Sequence, residues 1–202
     1  MKFNRGHWEI LPGTEAIYPA TIVDTVVEPD SIMITGYDHT IQARWNYIHG
    51  TSITARFSSP MPNVIRVQLT HFKGLREHLP AFDLQDAHPA VSTGRDEHHV
   101  WLKSGNLSVV APVDGVWQFA FQRDDQPLTA SEEHAIGLFT QQGKTYLRDQ
   151  LSLQVGETVY GLGEHFGPLV KNGQALDSWN DDGGTDSELA YKNVPFYITS
   201  QG

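Results

Sequence analysis

Two neighbouring stretches alternate strictly between apolar and polar residues, and this limits the fold more than any other feature. Ile53, Ala55 and Phe57 interleave with Thr54, Arg56 and Ser58; beyond Pro60-Met61-Pro62-Asn63, Ile65, Val67 and Leu69 interleave with Arg66, Gln68 and Thr70. A period of two places each apolar set on one face of an extended chain and each polar set on the other. Strands with one wet face belong to antiparallel sheets, because parallel sheets bury both faces.

The same signal recurs along the chain. Residues 1 to 19 read as a short strand punctuated by Pro12-Gly13 and Pro19, and Ile22 to Glu28 with Ser31 to Thr35 read as a hairpin around Pro29-Asp30. Val100 to Lys103 and Leu107 to Ala111 flank Ser104-Gly105-Asn106, whose Gly-Asn centre suits a tight primed turn. Trp117, Phe119 and Phe121 alternate with Gln118, Ala120 and Gln122, a strand closed by a turn over Asp124-Asp125-Gln126-Pro127. These three aromatics read as core rather than as an exposed sugar platform, each then contributing roughly 1.5–3 kcal/mol. Residues 73 to 99 and 129 to 145 read as irregular loops, and Leu151, Leu153 and Val155 as one face of a strand over 147 to 155. No helical pattern reaches ten residues. The expectation is an all-β antiparallel β-sandwich with at most short helical turns, a single domain over residues 1–202.

Apolar residues at 39% and aromatics at 10% supply enough bulk for a packed core, which excludes a disordered chain. Fourteen basic against twenty-four acidic residues give a formal charge of −10, a field that repels phosphate backbones and anionic lipid, so neither nucleic acid nor membrane is expected as a partner. Neutral sugars are allowed by that charge without being argued for. With no cysteine there is no disulfide framework or thiolate site, and no metal or cofactor is expected. The first residues, Met1-Lys2-Phe3-Asn4-Arg5-Gly6, show no secretory pattern, and the expected location is the cytoplasm.

Chemistry-bearing residues gather between Val155 and Tyr197. In Tyr160-Gly161-Leu162-Gly163-Glu164 the glycines mark places where the backbone bends or is closely approached. The run lacks the third glycine of a dinucleotide fingerprint and the Lys-Ser/Thr of a phosphate loop. Thr185 and Glu188 have capping-box spacing, which predicts a helix of one to two turns through Lys192, ended by Asn193 and Pro195. Asp181, Asp182, Gly183 and Gly184 then occupy the loop just before it, where binding residues tend to sit. His98-His99 beside Asp96 and Glu97 lack metal-ligand spacing and read as the start of a surface strand.

Four runs carry a family resemblance: Val155 to Glu164, Leu169 to Gln174, Trp179-Asn180-Asp181-Asp182-Gly183-Gly184-Thr185, and Ala190-Tyr191-Lys192-Asn193-Val194-Pro195-Phe196-Tyr197. Fainter similarity runs upstream through Trp8, Pro12-Gly13, Thr70-His71-Phe72 and Lys103 to Leu107. The chain resembles glycoside hydrolase family 31, and within it the bacterial α-xylosidases. That resemblance implies an N-terminal β-sandwich of galactose mutarotase-like type, truncated here before a catalytic (β/α)8 barrel. It implies a retaining enzyme acting on a carbohydrate substrate, of xyloglucan type, whose nucleophile and acid/base aspartates belong to the barrel. No catalytic residue is therefore expected in this chain, which alone should be inactive.

The resemblance also implies that residues 155–197 face the substrate and that Asp182 matches an aspartate that hydrogen-bonds sugar hydroxyls. A carboxylate can accept from two neighbouring hydroxyls at once. The alternative for Asp182 is an Asx turn shaping the loop. Asp181, where relatives often have Arg or Glu, reads as solvated, and His165 stands where Arg is common. Trp179 reads as core rather than a stacking platform, and Glu164 as a backbone anchor. A stand-alone carbohydrate-binding module and a mutarotase-like epimerase are the other functions in view. With the barrel missing, the strand from Phe196 to Ser200 should lack a neighbour, exposing apolar area that favours self-association or a homo-oligomer.

Overall fold

A computed structural model of the chain describes residues 2–6, 9–72, 74, 87–180, 190 and 192–202. Its first strands are β1 (Asn4–Arg5), β2 (Glu9–Ile10), β3 (Thr14–Ile17), β4 (Thr21–Val27), β5 (Ser31–Tyr37), β6 (Ser52–Ser58), β7 (Arg66–Thr70) and β8 (Ser92–Arg95). They continue as β9 (His99–Ser104), β10 (Leu107–Pro112), β11 (Phe119–Arg123), β12 (Gln126–Ser131), β13 (Gly137–Gln141), β14 (Lys144–Arg148), β15 (Val159–Glu164) and β16 (Lys192–Thr199). Among the described residues the one helical element is a 3-10 turn at Arg44–Ile48. All strand pairings are antiparallel. The chain forms two compact units, Pro12–Ser152 and Met1–Leu11 with Leu153–Gly202.

The larger unit is the sandwich. One sheet runs β4-β5-β6-β7, a second β12-β11-β10-β9-β8, and a three-stranded sheet β14-β13-β3 joins them. The alternation in β6 does what it predicts, with Ile53, Ala55 and Phe57 buried and Thr54 and Arg56 half-buried. These side chains meet Val100, Leu102, Val109 and Phe119 from the five-stranded sheet in one apolar core. The Phe57 and Phe119 rings lie 5.0 Å apart edge to face, and Trp117 approaches Phe119 at 4.8 Å in the same manner. Edge-to-face packing adds to area burial, so truncating any of these rings costs about 3–5 kcal/mol.

The region after β11 departs from expectation. Asp124 and Asp125, at φ 51° and 61°, make a two-residue primed turn, so Gln126 and Pro127 are the first residues of β12 rather than part of the turn. Pro127 is tolerated because β12 is an edge strand. The supposed loop over 129 to 145 contains the rest of β12, all of β13 and the start of β14. In β13 the adjacent Leu138 and Phe139 are both buried, so the strand packs on both faces and shows no alternation. Conversely, Leu151, Leu153 and Val155 lie beyond β14, which ends at Arg148, and are exposed. Of the irregular excursion over 73 to 99, residues 73 and 75–86 lie outside the described residues, while Ser92–Arg95 pair with β9 as a strand.

In the smaller unit β1 pairs with β2 and β15 with β16. Val194, Phe196 and Ile198 share one face of β16 and are 50%, 63% and 48% exposed, an apolar strip of the kind expected near the chain end.

Candidate functional site

The β15–β16 pair is bent by its glycines. Gly161 faces Tyr197 and Gly163 faces Asn193, so a single residue, Leu162, opposes Val194, Pro195 and Phe196. Gly161, Leu162 and Gly163 all take positive φ, at 108°, 71° and 93°. A Cβ on Gly163 would lie 2.3 Å from the Lys192 carbonyl oxygen, and one on Gly161 would lie 2.7 Å from that of Phe196. Both glycines are therefore required twice, for their dihedrals and for the backbone opposite, as their sequence context suggested. Pro195 fits in the bulge because no ladder donor is needed there. The His165 Nε2 donates to the Leu162 carbonyl at 2.7 Å, supporting the strained residue from outside the strand.

The entrance to β15 is held by one side chain. Asn172 Oδ1 accepts the Val159 amide at 2.8 Å while its Nδ2 donates to the Glu157 carbonyl at 2.9 Å, imitating a neighbouring strand. The buried Lys171 adds to this, its amide donating to the Val159 carbonyl and its Nζ to the Pro168 carbonyl, each at 2.8 Å. The Thr199 hydroxyl and the Gln154 amide, the latter at 2.7 Å, hold the Glu157 carboxyl below the usual carboxylate range. The start of β15 is thereby tied to the end of β16.

At the other end of the pair, Asn180 and Ala190 form an isolated parallel bridge. Asn180 Oδ1 accepts both the Asn193 amide at 3.0 Å and the Asn193 Nδ2 at 3.1 Å, and that Nδ2 also reaches the Trp179 carbonyl. The flanks of residues 181–189 are thus fastened side by side. Asp182 itself, with Asp181, Thr185 and Glu188, lies outside the described residues, as do most of the residues of the expected cap and helix. Lys192 begins β16, so that helix does not run through it. Trp179 is 73% exposed among the described residues, against its reading as core. Asn172 reads in the sequence only as part of a matching run, and Asn193, two residues before Pro195, as the end of the expected helix; neither gives a local sign of a cross-loop clamp.

The other candidate groups resolve as structure. Asp96 Oδ1 accepts the backbone amides of His98 and His99 at 2.8 and 2.7 Å, which lowers its pKa and turns the chain into β9. His98 and His99 mark a surface strand start, as expected. Trp117 and Phe119 are core. No group of three or more His, Asp or Glu that could hold a metal ion occurs among the described residues.

The family model for the glycosyl hydrolase 31 N-terminal galactose mutarotase-like domain matches residues 54–202. The chain belongs to glycoside hydrolase family 31. It is 36% identical over 204 residues to the alpha-xylosidase XylQ of Lactiplantibacillus pentosus, an alignment covering all of this chain and 27% of that protein. To an alpha-xylosidase of Emericella nidulans it is 32% identical over 227 residues, covering all of this chain and 29% of the relative. The chain thus spans little more than a quarter of these family members. Among solved structures, a family 31 alpha-xylosidase from a soil metagenome, complexed with xylose, matches at a TM-score of 0.61 and 19% identity, over 89% of this chain and 27% of that one. A cycloalternan-forming enzyme from Listeria monocytogenes, in complex with a pentasaccharide substrate, matches at 0.66 and 17%, over 92% and 17%. At these identities the likeness is one of fold.

Proposed function

We propose that this chain is the non-catalytic N-terminal domain of a retaining α-glycosidase, an α-xylosidase acting on xyloglucan-type oligosaccharides. The observation that carries the reading is alignment over the whole chain, at 36% and 32% identity, with two proteins named alpha-xylosidase. The two catalytic aspartates belong to the remainder of the protein, and the exposed strip on β16 is where we place its contact with that remainder.

In this reading Asp182 is the substrate-binding residue. Its carboxylate accepts hydrogen bonds from two adjacent sugar hydroxyls and so orients the ring toward the catalytic pair, which retaining enzymes space about 5–5.5 Å apart. The Asn180–Asn193 clamp and the Gly161–Gly163 bulge serve as its rigid base, because orientation counts only where the supporting shell is fixed. Adjacent Asp181 takes no part.

Turnover of an aryl α-xyloside tests the reading. The full-length protein hydrolyses it with net retention, and the 202-residue chain, carefully repurified, gives only buffer background. Activity in the isolated chain, or a full-length protein inert toward α-xylosides, contradicts it.

A further inference from the structure

The larger unit carries a groove that the loop region does not explain, a half-open cavity of about 620 Å³ on the five-stranded sheet. That size lies within the range of about 300–1,000 Å³ for small-molecule sites. Its floor is small and apolar. Val110 pairs with Ala120 across β10 and β11, and Ala120 pairs with Ala130 across β11 and β12, so three side chains make a row directed away from the core. Core-facing Val109, Ala111 and Phe119 fix that orientation by alternation. Pro112 extends the floor.

Polar groups stand around this row. Gln118 and Gln122 lie two residues to either side of Ala120 along the chain, His99 lies across from Pro112, and Glu132 and Glu133 form the rim. Neither glutamine amide is spent on a hydrogen bond with another described residue, and each offers both donors and an acceptor. No lysine or arginine lines the cavity, and two carboxylates do, in a chain of formal charge −10. Anionic ligands are disfavoured there.

We infer that this groove binds a neutral oligosaccharide, one pyranose laying its C–H face on Val110, Ala120 and Ala130 while Gln118, Gln122 and the rim carboxylates take its hydroxyls. An apolar floor ringed by amides and carboxylates matches a ring whose faces are apolar and whose edges are polyhydroxylated. An extended peptide adding to the sheet is a poorer fit, although β12 is an edge. The Ala130 amide and carbonyl already bond Ser152, through its Oγ at 3.0 Å and its amide at 2.9 Å, and the Thr129 hydroxyl bonds the Ser152 carbonyl at 2.7 Å. Strand addition is blocked where the groove lies. The inference stands apart from the proposed activity, since its residues are in the other unit.

Affinity electrophoresis of the full-length protein in native gels cast with xyloglucan tests it, with carboxymethylcellulose gels as the anionic control. Retardation by xyloglucan is expected. Ala120→Trp, which fills the floor, and the milder Gln118→Ala/Gln122→Ala pair should each weaken it by about tenfold in Kd, the worth of one or two hydrogen bonds. Both variants should hydrolyse an aryl α-xyloside within twofold of the parent and melt at the parent temperature, so loss of the groove reads separately from loss of the proposed activity. Absence of retardation in the parent, retardation unchanged in both variants, or stronger retardation by the anionic polymer would overturn the inference.

Discussion

The Asn193 amide donates to the Asn180 side-chain oxygen at 3.0 Å, and that contact ties together the two ends of the segment containing Asp182. Asn193 spends its own amide group on the same partner and on the Trp179 carbonyl, so one side chain holds both flanks. Asn193→Ala removes these side-chain bonds and leaves the backbone one. At roughly 0.5–1.5 kcal/mol per bond, the full-length protein should lose about five- to tenfold in kcat/KM, mostly through KM, with little change in Tm. A value of kcat/KM equal to the parent's would show that the loop does not depend on this clamp.

The bulge gives a sharper stability test. Gly163→Ala asks for φ 93° and for a Cβ 2.3 Å from the Lys192 oxygen, so about 1–3 kcal/mol is lost and the β15–β16 pair opens locally. Gly173→Ala is the control: its φ is 74°, but a Cβ there meets nothing within 4 Å, so only the dihedral cost remains. Hydrogen exchange at the β15 and β16 amides should rise in the first variant and far less in the second. Equal exchange in both would contradict the close-approach account.

Acid sensitivity follows from Glu157. Its pKa is lowered in the folded chain, chiefly by the Thr199 hydroxyl and then by the Gln154 amide, so the unfolded chain takes up the proton first. The stabilisation is present above the unfolded carboxylate pKa and is lost as pH falls through the folded one. Urea unfolding from about pH 7 to pH 3 should therefore show a flatter pH dependence for Glu157→Gln than for the parent. Parallel curves would mean that the Thr199 bond does not form in solution.

Exposed Val194, Phe196 and Ile198 predict that the 202-residue chain associates with itself as its concentration rises. Sedimentation velocity should show this, and Phe196→Lys with Ile198→Lys should suppress it. A strictly monomeric parent chain would count against an open apolar strand.

How far the sequence discloses the structure depends on how each residue is used. β6, β7 and β11 are legible because a period of two is written into the chain, and β4 with β5 and β9 with β10 because a turn sequence joins each pair. β13 is hidden because Leu138 and Phe139 are buried on opposite faces, and β12 because an edge strand tolerates Gln126 and Pro127. Leu151, Leu153 and Val155 mislead in the opposite sense, alternating where no strand pairs. In the site, Gly161 and Gly163 announce themselves because no other residue tolerates those contacts. Asn172 and Asn193 do not, since each bonds a residue thirteen positions away, Val159 and Asn180, a pairing that nothing local in the sequence marks. The loop position draws attention to Asp181 and Asp182 alike, and family resemblance alone singles out Asp182.

The most direct measurement is the kcat/KM of full-length Asp182→Ala on a series of aryl α-xylosides, with the nucleophile titrated by a mechanism-based reagent. Losing a charge-assisted pair of hydrogen bonds should lower kcat/KM by on the order of tenfold to a hundredfold while the nucleophile still labels fully. A kcat/KM within twofold of the parent for every leaving group would remove Asp182, and with it this domain, from the substrate site.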